Sequence, residues 1–79
     1  MPKSHVRNNI RRLRFDHAEM TQQQLADRVG VTRQTIAAIE KGNYSPTLEL
    51  AFRIARVFGV PLDAVFSYAD NDEPDLEQN

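Results

Sequence analysis

Apolar residues recur along this chain at three- and four-residue spacing, interrupted at short intervals by threonine, glycine and proline. That pattern predicts a series of short amphipathic helices. A first helix runs from about Arg7 to His17, with Ile10, Leu13 and His17 or Ala18 on one side and Arg7, Arg11 and Arg12 on the polar side. Thr21 has the character of an N-cap, Gln24 three residues later completes a capping box, and Met20 is placed to staple onto Leu25. The second helix, Gln22 to Val29, turns Leu25, Ala26 and Val29 to one face and ends at Gly30, which tolerates a left-handed cap. Thr32 caps a third helix from Arg33 to about Glu40, with Ile36 and Ile39 inward, Lys41 in its last turn and Gly42 after it.

Asn43-Tyr44-Ser45-Pro46 reads as a loop. Thr47 then caps a fourth helix carrying Leu48, Ala51, Ile54, Ala55 and Phe58 at helical spacing, ended by Gly59. Pro61 suits a first helical turn, so Leu62 to Phe66 reads as a short fifth helix or one wide turn. The alternative is that Val65, Phe66 and Tyr68 belong partly to an extended segment pairing with His5 to Arg7. The expected architecture is all-α, a compact five-helix domain over residues 6–69 with a short terminal β pairing as an option. Residues 70–79 hold five acids and one large apolar residue, Leu76, so a disordered tail is expected there.

Composition narrows the classes. Seventy-nine residues fit one small domain, and a hydrophobic fraction of 41% with 27% charged suits a globular fold. The absence of cysteine removes disulfides, thiol catalysis and Cys-ligated zinc. No run approaches the ~18 apolar residues of a spanning helix, and Met1 to His5 lack the apolar core of a secretory signal, so the cytoplasm is the expected location. The net charge of −1 hides a segregation: residues 1–69 carry ten basic and six acidic side chains, and residues 70–79 carry five acidic and none basic. A polyanion feels such a local basic excess through a Debye length of ~8 Å.

Catalytic chemistry is not expected. His5 and His17 have no partners at metal-ligand spacing, Asp16 and Glu19 beside His17 make no acid/base pocket, and there is no glycine-rich phosphate loop. No metal or cofactor is expected. The informative stretch is TQQQLADRVGVTRQTIAAIEKG, residues 21–42. It reads as helix, glycine-ended tight turn and helix, with Leu25, Ala26, Val29, Val31, Ile36 and Ile39 clamping the pair to one core. With Ile36 inward and 100° per residue, Gln34, Ala37, Ala38 and Lys41 point outward and Arg33 projects at the N-terminal flank. Two alanines on this face permit close approach of a surface, and Arg33 and Gln34 supply the donors that base edges require.

Leu13-Arg14, Thr21-Gln22, Leu25-Ala26, Gly30-Val31, Arg33-Gln34-Thr35-Ile36 and Ile39-Glu40-Lys41-Gly42 together resemble the phage-repressor-like (Cro/CI, XRE) helix-turn-helix family, particularly its short free-standing members. The likeness continues through Tyr44, Pro46, Leu48-Glu49-Leu50-Ala51, Ile54-Ala55 and Phe58-Gly59-Val60 and covers about residues 6–68. It implies a lambda-repressor-like fold in which Gln22 to Val29 positions and Arg33 to Glu40 recognises. Base reading would fall to Arg33, Gln34 and Ala38. Phosphate contacts would fall to Gln22, Thr32, Thr35, Lys41, Asn43, Tyr44 and Ser45.

The segment FDHAEM, residues 15–20, is one residue longer than the family's usual spacing and has Ala18-Glu19 where a glycine often sits. The first helix is then extended or locally bulged, and with the insertion after Arg14 the family's internal ion pair maps onto Arg14 and Glu40. A two-turn recognition helix reads few base pairs, so the resemblance implies a homodimer on operator DNA with two-fold related half-sites, acting most simply as a repressor. Leu62, Val65, Phe66 and Tyr68 are the expected dimer contact; the alternative is that Val60, Leu62, Val65 and Phe66 are spent on covering the small core. Two other functions fit the residues: an antitoxin that also holds a toxin or regulatory protein through its acidic tail, and a protein-interaction domain without DNA affinity.

Overall fold

Three threonines open three helices, and each uses the same local chemistry. In the computed structural model, which describes residues 5–68, the hydroxyls of Thr21, Thr32 and Thr47 accept from the backbone N–H groups of Gln24, Thr35 and Leu50. Each such cap satisfies a donor that the first helical turn leaves open and is worth ~1 kcal/mol. The capping box of Thr21 is complete, with Gln24 Oε1 accepting from the Thr21 N–H at 2.8 Å. The segment expected to form an acidic tail, residues 70–79, lies outside the described residues.

The order of elements is β1 (Val6–Asn8), α1 (Ile10–Asp16), α2 (Gln22–Val29), α3 (Arg33–Lys41), α4 (Leu48–Phe58), α5 (Leu62–Val65) and β2 (Phe66–Tyr68). Five helices enclose one core in which Ile10, Leu25, Val29, Ile36, Ile39, Ile54 and Val65 are all but inaccessible to solvent. Burying each such side chain is worth ~1.5–3 kcal/mol, which is what holds helices this short in place. Met20 is buried before α2 as the staple requires.

The terminal pairing is formed. β1 and β2 run antiparallel with Val6 opposite Tyr68, Arg7 opposite Ser67 and Asn8 opposite Phe66. The first helix therefore begins at Ile10, not near Arg7, and Arg7 lies on a strand away from the polar face of Arg11 and Arg12. Asn8 enforces the change of direction: its Oδ1 accepts from the Ile10 N–H at 3.1 Å, while the Asn9 N–H donates to the Val65 carbonyl at 2.8 Å. At the other end, Leu62–Val65 makes one helical turn and Phe66 starts the strand, so both readings of that segment are realised in succession.

Two further positions differ from the periodicity. Leu48, expected inward, is 66% exposed at the first position of α4, and Leu50 takes its place in the core with Ile54 and Phe58 four residues apart. The connection after α1 neither extends the helix nor contains a glycine. Ala18 and Glu19 both adopt left-handed backbone, with φ of 59° and 54°, which lets the chain reverse and lets the Met20 N–H donate to the Arg14 carbonyl at 2.9 Å. No helix among the described residues is long and apolar enough to cross a membrane.

Candidate nucleic-acid interface

Only Gly30, Val31 and Thr32 separate α2 from α3. Gly30 makes this possible at φ 80°, and its N–H and that of Val31 both donate to the Ala26 carbonyl, closing α2 as Thr32 opens α3. Arg53 of α4 braces the turn by donating from Nη1 to the Val29 carbonyl at 3.3 Å. The helix pair is thus fixed at its turn and by its shared core, and the outer side of α3 is free to meet another surface.

On that side Arg33, Gln34 and Lys41 are exposed, and Ala37 and Ala38 are half-buried. Thr32 and Thr35 stand at the start of α3 with their hydroxyls 3.0 Å apart, and the Thr32 oxygen also accepts from the Thr35 N–H. Asn43, Tyr44 and Ser45 follow the helix as an exposed loop. The Asn43 N–H is committed to the Ala38 carbonyl at 3.0 Å, which leaves its side chain, not its backbone, to face a ligand.

Arg14 and Glu40 lie beneath this surface and form a two-pronged pair: Nε donates to Oε2 at 2.7 Å and Nη2 to Oε1 at 3.0 Å. Their side chains are 15% and 10% exposed, so the charges are largely removed from water and satisfied by each other. Arg14 Nη1 also donates to the Met20 carbonyl at 2.8 Å, tying down the left-handed connection. The fourth member is Gln22, whose Nε2 donates to Glu40 Oε1 at 3.2 Å. That bond was not legible in the sequence, where Gln22 had only a phosphate role. One of its amide hydrogens is now engaged, leaving the second and the backbone N–H at the start of α2.

The expected dimer residues divide. Val65 has 0% exposure and is spent entirely on the core, so it offers no surface to a partner. Leu62 and Phe66 are half-buried, Tyr68 is 64% exposed, and together with Val6 they line an open apolar groove of about 430 Å³. The sequence pattern did not single out a second apolar surface. Leu48 and Phe52, one turn apart on α4, are 66% and 49% exposed on the flank turned away from the side where Arg53 meets α2. His17 has a packing role: its Nδ1 lies 2.9 Å from the Leu13 carbonyl and its ring meets the edge of Phe58 at 5.1 Å.

Comparison with known proteins agrees with this geometry. The family model described as helix-turn-helix matches residues 10–65. An uncharacterized HTH-type transcriptional regulator of Methanocaldococcus jannaschii is 48% identical over 67 residues, covering 85% of this chain and the whole of that protein. The transcriptional repressor RstR of the cryptic phage CTXphi in Vibrio cholerae is 37% identical over 60 residues, covering 76% of this chain and 53% of RstR. Among solved structures, a candidate DNA-binding protein from Bacteroides fragilis superimposes with a TM-score of 0.68 at 19% identity, covering 78% of this chain and 98% of the other. At that identity the likeness is one of fold.

Proposed function

The chain belongs to the helix-turn-helix family of DNA-binding transcriptional regulators, and from that premise we propose that it is a homodimeric repressor that reads a two-fold related operator with the outer face of α3. The observation that carries this reading is the pairing of exposed Arg33 and Gln34 with a helix held rigidly from below by Arg14 and Glu40. Arg33 can address guanine O6 and N7, Gln34 can address adenine N6 and N7, and Ala38 allows both to approach the base edges.

Phosphate contacts in this reading come from Thr32, Thr35, Lys41, Asn43, Tyr44 and Ser45 around α3 and from Gln22 at the start of α2. There the helix terminus favours an anion, and the amide hydrogen not taken by Glu40 can point to it. These contacts fix the protein on the duplex, and the bases supply specificity. A second copy docks on the apolar edge formed by Leu62, Phe66 and Tyr68. Exposed apolar surface of that kind on so small a domain favours association. Occupancy of a promoter would then exclude polymerase, and the relative named as a repressor supports that direction of control.

Selection of bound sequences from random duplex DNA with the purified protein tests the reading. Two short inverted half-sites about one helical turn apart should be enriched. Recovery of a single unpaired half-site would remove the dimer, and no enrichment would remove base reading altogether.

A further inference from the structure

Asn8 and Asn9 sit between the apolar edge and the recognition helix, and their side chains point to different neighbours. Asn9 joins α5, through its N–H to the Val65 carbonyl at 2.8 Å and its Nδ2 to the Ala64 carbonyl at 3.1 Å. Asn8 stands opposite Phe66 in the two-stranded sheet, and its Nδ2 donates to the Ile39 carbonyl in the last turn of α3 at 3.0 Å, across 31 residues of sequence. The Ile39 carbonyl already accepts from the Gly42 N–H at 3.0 Å, so the end of α3 does not need Asn8 to be satisfied. The additional bond adds orientation: it ties the recognition helix to the strand whose partner, Phe66, lines the apolar groove.

We propose that Asn8 is a positioning residue for operator recognition, setting the angle of α3 relative to the β1–β2 edge and thereby the half-site spacing that the protein accepts. This rests on the homodimeric reading above. Recognition helices one turn of B-DNA apart lie about 17 Å from the two-fold axis, so a rotation of roughly 5° shifts each by about 1.5 Å, enough to misplace the hydrogen bonds that read a base. A single bond of this type is worth only ~1 kcal/mol to the fold, so its loss is felt in geometry before it is felt in stability.

Two substitutions isolate the bridge. Asn8→Asp keeps an oxygen to accept the Ile10 N–H and removes the donor to Ile39. Asn8→Ser keeps a local acceptor on a shorter side chain that lacks the amide. The full chain, wild type and both variants, is titrated against operators whose half-sites are separated one base pair at a time and against a single half-site. Circular dichroism and sedimentation run beside the titrations. The expected result is unchanged helix content, self-association and single half-site affinity, with the preference for the best spacing over neighbouring ones reduced roughly 2- to 30-fold. A folded variant with wild-type spacing preference overturns the proposal, as does an equal loss on every duplex or unfolding of both variants, each of which makes Asn8 purely structural. A wild type that binds the single half-site but ignores spacing removes the dimer, and the proposal with it.

Discussion

The chain enters α2 and leaves it by connections built on opposite principles. Leaving, Gly30 takes a left-handed conformation at no steric cost, and Thr32 caps the next helix within two residues. Entering, Ala18 and Glu19 take the same region of backbone space with side chains attached, where each L-residue costs ~1–2 kcal/mol. What holds the second connection is distant: Arg14 grips the Met20 carbonyl with one nitrogen and Glu40 of α3 with two others. The leaving connection rests mainly on its own chemistry, with Arg53 as a brace, whereas the entering one adds to its local bonds a clamp that depends on Glu40 of α3 holding Arg14 in place.

The largest effect should come from breaking that grip. Glu40→Gln leaves the Arg14 guanidinium without its counter-charge in a site of 15% exposure, and should lower unfolding free energy by about 3 kcal/mol in a urea titration. A loss under about 1 kcal/mol would place the pair with ordinary surface bridges and leave the entering connection unexplained. Gly30→Ala comes next. A Cβ there would meet Arg53 Nη1 at an ordinary 3.7 Å, so the cost is that of the backbone alone, about 1–2 kcal/mol, read as a lower thermal midpoint. The smallest change has the opposite sign. Ala18→Gly relieves one strained residue and lengthens the list of unfolded conformations, for a net gain of about 0.5–1 kcal/mol. A loss on Ala18→Gly would show that the entering connection carries no strain.

The same contrast explains what the sequence disclosed. Caps, terminating glycines and the inward faces of α2 and α3 are local features and were legible from spacing, while the pairing of Arg14 with Glu40 followed only from the family resemblance. Contacts spanning the chain were less legible. The terminal pairing stood open only as an alternative, because Arg7 also reads as helical by its neighbours and its strand partner Ser67 lies about sixty residues later. Gln22 reads as a phosphate contact alone until Glu40 is seen beside it, and Asn8 carries no local sign of its bond to Ile39. Leu48, expected inward from its spacing, is exposed because at the end of a short helix spacing fixes a face less firmly than the neighbouring element does, and of the two readings open for Val65 the structure realises burial in the core. Arg33 and Gln34 stand exposed on α3, and among the described residues no bond of the fold engages them.

That disuse is the central claim, and one pair of titrations tests it. Gln34→Ala removes an exposed side chain with no role in the core, so its unfolding midpoint should match the wild type. On the operator recovered by selection it should lose ~1–3 kcal/mol of binding, and on random duplex much less. Equal losses on both duplexes, or none on either, would contradict the account of α3 as the helix that reads bases.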